Sequence, residues 1–524
     1  MACPPLFFCV NCQPFSYDKE MFNLKVIIMN RKLQFLFTAL LLLVGVTGAW
    51  ADNTVKYSTD GGESWTEAAD LNALSSVFSG ATSDIQVQLL DNQTLTGRVT
   101  WGKAYTLTIT ATKAISISRG SLARTAMWFL NNGTGTLTLG SSDNAITFAG
   151  AGHADNQRIF KNILGNESTG RMNIENVKFQ NFKFDTENAN LGYLFLNRNY
   201  NGKLVLKDVT VSNCITTEDA FIKSISTSND NIYLQGTINF DNCTGTDIYA
   251  AARIRLGEID GSSSTTISAS TPISIYWANA TTAIATPVVV KATSAMVSNF
   301  TLTNENLGLF GNNIDLKLTQ AYTLAVSDAK AATLVLPFES KIPSGATCYT
   351  LTHTDGSSVV TATEVTGGTL DANTPVYVEA NEGSYKFVST ATSGEFATGS
   401  DPVTNGDGAL TGVYSDLTFT TENIASTYAN TYILNKINEK VGFYKAADGL
   451  KVGANRCYLT ATNVPGAAAA RGLEISFDDE VTGLNEVRGQ KEEVRSDYFN
   501  LAGQRVAQPT KGLYIVNGKK VVIK

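Results

Sequence analysis

The chain has 524 residues, with 40 Lys/Arg against 47 Asp/Glu for a formal net charge of −7. That length accommodates two or three domains, and the acidic balance argues against nucleic acid or an anionic membrane surface as partner. Frequent β-branched residues, with only 11 Pro, point to an all-β fold.

Residues 1–51 read as an N-terminal extension, from an upstream start, plus a secretory signal peptide. Met29-Asn30-Arg31-Lys32 is a short cationic start, "LQFLFTALLLLVGVTGA" the apolar stretch, and Ala49-Trp50-Ala51 a small-x-small cleavage pattern. The apolar run is short for a membrane span and polar chain follows at once, so no transmembrane segment is expected in the mature protein. Cys3, Cys9 and Cys12 fall in the discarded part. The remaining Cys214, Cys243, Cys348 and Cys457 are too few for a disulfide scaffold.

"YSTDGGESW" (57–65) resembles the Asp-box of sialidase propellers. Sialidases carry several such boxes together with an arginine triad and a Tyr–Glu nucleophile pair, whereas this box stands alone. Asp60 and Gly62 are therefore read as turn residues. Trp65 is expected to pack under the following segment, where Leu71, Leu74, Val77 and Phe78 share one helical face. That short helix is a suitable lid for the open apolar end of a repeat array.

The repeat itself is visible in "GTLTLGSSDNAITFAG", "GRMNIENVKFQNF", "GKLVLKDVTVSNC" and "DNIYLQGTINFDNC". Each holds an apolar-x-apolar strand, a polar break and a second such strand, recurring about every thirty residues. A third strand precedes each pair, centred on Phe129, Phe160, Phe195 and Phe221; Leu107/Ile109 with Ile115/Ile117, and "TPISIYW" (271–277), look like further copies. Three short strands per repeat suit stacked turns of parallel sheet, each covering the apolar face of the one before. The pattern resembles the right-handed β-helix of the pectate-lyase-like superfamily over 53–285, in repeat grammar but in no catalytic motif. Asn181, Asn213 and Asn242 each follow the second strand by two residues, a position for a hydrogen-bonded asparagine ladder at a corner. The other reading is a polar ligand groove. Cys214 and Cys243 share one register and read as small buried hydrophobes, an in-register pair being poorly oriented for a disulfide.

Carbohydrate-cleaving enzymes of this resemblance need clustered aspartates with Gly-His-Gly and Arg-x-Lys, or calcium-binding aspartates with an arginine base. Neither set is present. His153 stands without companions at ligand spacing. Glu175 and Asp208 align on successive repeats, but Gly236 ends the row, so a two-carboxylate site is set against a solvated face. No catalytic residue, metal site or cofactor is assigned. The favoured binding face is the loop-rich side at 197–201 and 229–231, where Arg198, Asn199 and Tyr200 offer a cation beside an aromatic platform.

From 291 to 480, alternating apolar strands separated by Gly, Asn and Pro turns read as an antiparallel β-sandwich. Leu334, Leu336, Pro337, Phe338, Thr374, Pro375 and Tyr458 resemble a module common in exported proteins of Gram-negative anaerobes, one with no known catalytic role. Cys348 and Cys457, each before a tyrosine in a strand-like run, are either a disulfide or two buried thiols. Residues 481–493 are a polar linker. In 494–524, Tyr498, Leu501, Gly503, Arg505, Val506, Gly512, Tyr514, Ile515, Gly518, Lys519 and Lys524 closely resemble the C-terminal sorting domain of the Por-type (type IX) secretion system. The resemblance implies outer-membrane secretion machinery as partner. The residues themselves read as a short β-hairpin domain turning at Asn-Gly.

The expectation is an all-β protein: a right-handed parallel β-helix (52–290) with an N-terminal cap, a β-sandwich (291–480), then the sorting hairpin. It would be secreted or attached to the outer surface of a Gram-negative bacterium as an adhesin-like binding protein. Its β-helix would contact glycans or host proteins. The alternative is a polysaccharide lyase or glycoside hydrolase with a dispersed carboxylate site.

Overall fold

The structure, a computed structural model, describes residues 52–477 and 498–523 apart from short stretches, the longest interior ones being 185–191 and 260–266. The strands are built on alternation. In Leu107–Ala111, for example, Leu107, Ile109 and Ala111 are buried while the threonines between them face outward. No strand of this kind buries its apolar face alone, and the chain solves the problem by passing repeatedly through three parallel ladders.

The first ladder runs Ile85–Leu89, Leu107–Ala111, Thr136–Leu139, Arg171–Glu175, Lys203–Ser212, Ile232–Asp241, Ile254–Leu256 and Val288–Lys291, every pair parallel. The second runs Gln93–Leu95, Ile115–Arg119, Ile146–Ala149 and Val177–Gln180 into the far halves of Lys203–Ser212 and Ile232–Asp241. The third is Val99–Trp101, Phe129–Asn131, Leu164–Asn166, Phe195–Asn197, Ile222–Ser224, Ile248–Ala250, Ile273–Trp277 and Phe300–Leu302, again all parallel. Each of the first six passes thus supplies one strand to each ladder, and like residues stack on like, the register partners Phe148 and Phe179 having ring centroids 5.1 Å apart.

The pass at 85–101 was not evident in the sequence. Phe160, the expected centre of another third strand, lies outside the described residues. Leu164–Asn166 fills that register between Phe129–Asn131 and Phe195–Asn197. The strand "LGN" carries only one large apolar side chain, so periodicity could not find it.

Two corners are set by left-handed backbone. Asn181, Asn213 and Asn242 have φ of 61, 50 and 51°. Asn213 Nδ2 donates to Asn181 Oδ1 at 2.6 Å, and Asn242 Nδ2 to Asn213 Oδ1 at 3.2 Å. Asparagine tolerates this backbone region and its amide bonds along the stack. His153 Nε2 lies 2.7 Å from the Asn213 carbonyl oxygen, so it braces the same corner. At the other corner Asn176, Asp208 and Gly236 have φ of 52, 54 and 63°. A Cβ at Gly236 would come within 2.2 Å of Asp208 Oδ1, which accepts the Thr237 N–H at 2.9 Å. This register corrects the aligned carboxylates. Glu175 pairs with Lys207, not Asp208, and binds its ammonium at 2.8 Å. Asp208 takes the register of Asn176 at the left-handed corner.

Both ends of the stack are covered. Val55–Ser58 pairs antiparallel with Ile85–Leu89 and with Thr66–Ala68. The helical turns Asn72–Leu74 and Ser75–Gly80 bury Leu71, Leu74 and Phe78, the last edge-on to Trp101 at 6.4 Å. The Asp-box is the hairpin turn beside this cap: Gly62 N–H donates to Ser58 Oγ at 2.8 Å and Ser64 N–H to Asp60 Oδ1 at 3.0 Å. Trp65 does not go under the lid. It stays half-buried on its own turn, bonded to the Gly62 carbonyl at 3.1 Å with Lys56 over its ring.

At the far end, Leu316–Val326 runs antiparallel to Val288–Lys291 and Leu307–Phe310, and its second half pairs with Gly383–Ser389. Lys386 reaches back to the Leu302 and Asn304 carbonyls at 2.5 Å, satisfying acceptors at the last strand of the third ladder. One apolar core extends from Val55 to Leu318, so the parallel packing continues past the boundary expected at 290.

Beyond it lie two five-stranded sheets. Ala331–Leu334, Val376–Ala380, Ala346–His353, Val359–Glu364 and Glu474–Phe477 form one, antiparallel except for its last, parallel pair. Val403–Thr404, Leu410–Val413, Arg456–Thr460, Thr431–Ile437 and Lys440–Lys445 form the other. Leu351, Val360 and Tyr377 of the first share a core with Leu410, Tyr432, Phe443 and Leu459 of the second. Residues 498–523 form a four-stranded antiparallel sheet of Arg505–Val506, Tyr498–Phe499, Gly512–Val516 and Lys519–Ile523, rather than a bare hairpin.

The asparagine corner is testable. Asn213→Ala removes both ladder bonds and forces a Cβ-bearing residue without polar compensation into left-handed backbone, costing about 1–2 kcal/mol. Asn213→Gly, which keeps the backbone freedom, costs less. Urea denaturation of the two variants beside the parent reads the difference.

Candidate functional site

The sequence-selected residues separate in space and in role. Arg198 is exposed at the end of a third-ladder strand, its N–H donating to the Asn166 carbonyl at 3.1 Å, while Asn199 and Tyr200 lie outside the described residues. Just before it, Asn131, Asn166 and Asn197 form a buried row. Their amides donate to the Gly135, Gly170 and Gly202 carbonyls at 3.2, 2.9 and 2.9 Å, closing the turn from third to first ladder. This row is structural and was missed; the signal is the recurring Asn three residues into "FLN", "LGN" and "FLN".

Cys348 and Cys457 are free thiols in different cores, which corrects the disulfide. Cys348 faces Leu334, Val378 and Phe387, whereas Cys457 sits with Tyr432 and Leu459, so adjacent sheets separate them. Cys214 and Cys243 are also free. Burial pushes the Cys214 thiol far up, and a hydrogen bond from Cys214 draws Cys243 down. In the terminal sheet, Tyr498 and Tyr514 meet edge-on at 6.2 Å, and Gly512, Arg505 and Lys519 lie in strands. Leu501, Gly503, Gly518 and Lys524 lie outside the described residues. Among the described residues no group of three or more His, Cys, Asp or Glu could hold a metal ion.

What the fold does bring together lies on the outer face of the third ladder. Lys223, Tyr249 and Tyr276 are consecutive register partners on three adjacent strands. The tyrosine rings stack at 5.4 Å and 20°, and Tyr276 is 40% exposed. The Lys223 ammonium lies 4.6 Å from the Tyr249 ring and 5.2 Å from that of Tyr193, donates to Tyr193 Oη at 3.1 Å, and forms an ion pair with Asp219. Burial opposes charge on Lys223, but Asp219 and Tyr193 outweigh it and raise its pKa. The result is a rail of stacked aromatic faces with a fixed ammonium at one end, set to take the C–H face of a sugar ring and bond its hydroxyls. The sequence signal was the repeated Ile-Tyr of "IYA" and "IYW", whose outward tyrosines coincide only once the passes are stacked.

Asp247 and Ser274 sit at the base of this rail. The Ser274 N–H and Oγ both donate to Asp247 Oδ2 at 2.8 Å. Asp247 is 6% exposed, and burial lifts its pKa to about 6 against the pull of those bonds. No protein-family model, characterised protein or solved structure matches this chain.

The Asp247 shift fixes a pH dependence. The folded pKa lies above the unfolded one, so between roughly pH 4 and 6 the folded chain keeps a proton that the unfolded chain has lost. Stability from this group is full below that window, declines through it and is flat above. Asp247→Asn should flatten the slope and stabilise the chain at pH 7 by about 3 kcal/mol, read from urea midpoints at pH 4, 5, 6 and 7.

Proposed function

We propose that this chain is an exported, surface-displayed or secreted binding protein that contacts glycans through the outer face of its stacked passes. In this reading the three ladders wind as a right-handed parallel β-helix, the two five-stranded sheets pack as a β-sandwich, and residues 494–524 engage outer-membrane secretion machinery of the Por type. The observation that carries the binding role is the stacked Tyr249–Tyr276 pair with Lys223 at its end. An outward-facing aromatic pair, Tyr249 half-buried and Tyr276 exposed, gains nothing for the apolar core on the inner face, whereas it matches the flat C–H surface of a pyranose. The strand register supports the winding, and the shared core of the two sheets supports the sandwich. The signal-like start, the tail residues and the Tyr498–Tyr514 packing support export.

A glycan array with the purified chain tests the binding role. Neutral oligosaccharides should bind, and Tyr276→Ala should weaken them by about tenfold, near 1.4 kcal/mol, with unchanged thermal unfolding. A reducing-end release assay on the bound glycans should stay at background; release above it would favour a lyase or hydrolase. Deleting residues 494–524 should leave the chain inside the cell envelope of its host, as judged by protease shaving of intact cells.

A further inference from the structure

The outer face of the first ladder carries a second feature of opposite character. Arg171 and Lys203 are direct cross-strand partners, and so are Arg255 and Lys291. Like charges opposed in this way destabilise a sheet, and they occur twice here in a chain whose net charge is negative. Arg253 completes the set. Against these five cations stand two carboxylates. Asp230 takes Arg253 in a two-bond pair at 2.8 and 2.9 Å with Arg255 3.6 Å away, and Asp315 takes Lys291 at 3.2 Å.

Among the described residues Arg171 and Lys203 have no carboxylate partner. Arg171 Nε donates to Asn173 Oδ1 at 2.5 Å, and Lys203 Nζ to the Asp230 carbonyl at 2.6 Å. Tyr233 lies buried on the next strand as the register partner of Arg255, its ring 5.7 Å below the Lys203 ammonium. The strip crosses five adjacent strands, so its length is about 19 Å at the usual spacing of about 4.8 Å.

We propose that this strip binds a linear polyanionic polysaccharide, with sulfate or carboxylate groups set against cations on successive strands. The chemistry follows from three features. Excess positive charge is held in half-buried positions where screening is reduced. Arginine and lysine are both donors without acceptor capacity, so they select oxyanions. The strip is one strand-row wide on an otherwise acidic chain, which suits a thin flexible polymer and repels a broad polyanionic surface such as a membrane or duplex DNA. The site is separate from the tyrosine rail and stands whether or not the rail binds sugars.

Fluorescence anisotropy with a labelled heparin oligosaccharide and the whole chain tests it, with neutral dextran, duplex DNA and anionic phosphatidylserine vesicles alongside. Binding to heparin should weaken with salt, and the double variant Arg171→Gln/Arg255→Gln, which spares the Asp230–Arg253 pair, should lose at least about tenfold. Lys451→Gln, at an exposed site in the distant antiparallel region, should bind as the parent does. Lys203→Gln replaces the double variant if that one fails to unfold cooperatively. Parent-like heparin binding by these strip variants overturns the proposal, as does an equal loss of dextran binding in the same variants. Equal affinity for DNA or vesicles overturns the assignment to a polysaccharide.

Discussion

In-register stacking of short parallel strands is the constraint on which the rest of this structure depends. A strand of three to five residues buries one face and has no stability alone; placed over a neighbour of the same pattern, it gains backbone bonds and covers apolar rows on both sides. Leu107, Leu137, Met172, Leu204, Ile232 and Ile254 occupy comparable inward positions on successive passes, all essentially inaccessible to solvent. Every other feature answers a consequence of that arrangement. The corners need left-handed backbone and new hydrogen-bond partners, which asparagine supplies. The ends expose apolar surface, which the N-terminal helical turns and the long strand Leu316–Val326 cover.

The same constraint frees the outer faces. Inward positions are held to apolar residues by packing, but alternate positions can carry any side chain that a strand tolerates. Stacking then multiplies what is placed there. A single tyrosine on one strand is an ordinary surface residue, whereas Tyr249 over Tyr276 is a platform. One arginine is a solvated charge, while cations on four strands around Tyr233 make a field. Function on such a scaffold is therefore spread along rows perpendicular to the chain, and local motifs are poor guides to it. The solitary Asp-box illustrates the point, since its serine, aspartate and glycine do nothing here but close a turn.

Residue patterns disclosed the inward rows and the Asn181–Asn213–Asn242 corner because each recurs at a fixed place in a repeat. The first pass was hidden by its unequal strands, and Leu164–Asn166 by its single large apolar residue. Glu175 and Asp208 looked like partners because each is an acidic residue close behind its first strand; Asp208 is one place out of register, and the ladder pairs Glu175 with Lys207 instead. Cys348 and Cys457 looked paired because both precede a tyrosine, yet that likeness says nothing about which sheet each joins.

By itself the sequence determined the class and the grammar: alternating strands in a repeat of stacked passes, a helical cap, and a change to antiparallel strands toward the C-terminus. These depend on local periodicity and turn chemistry, which neighbouring residues encode. Only the tertiary structure decided which outward side chains become neighbours, because that depends on register between strands many residues apart. The tyrosine rail, the cationic strip and the separation of the two cysteines all belong to this second kind, since a shift of one residue in pairing exchanges the inner and outer faces.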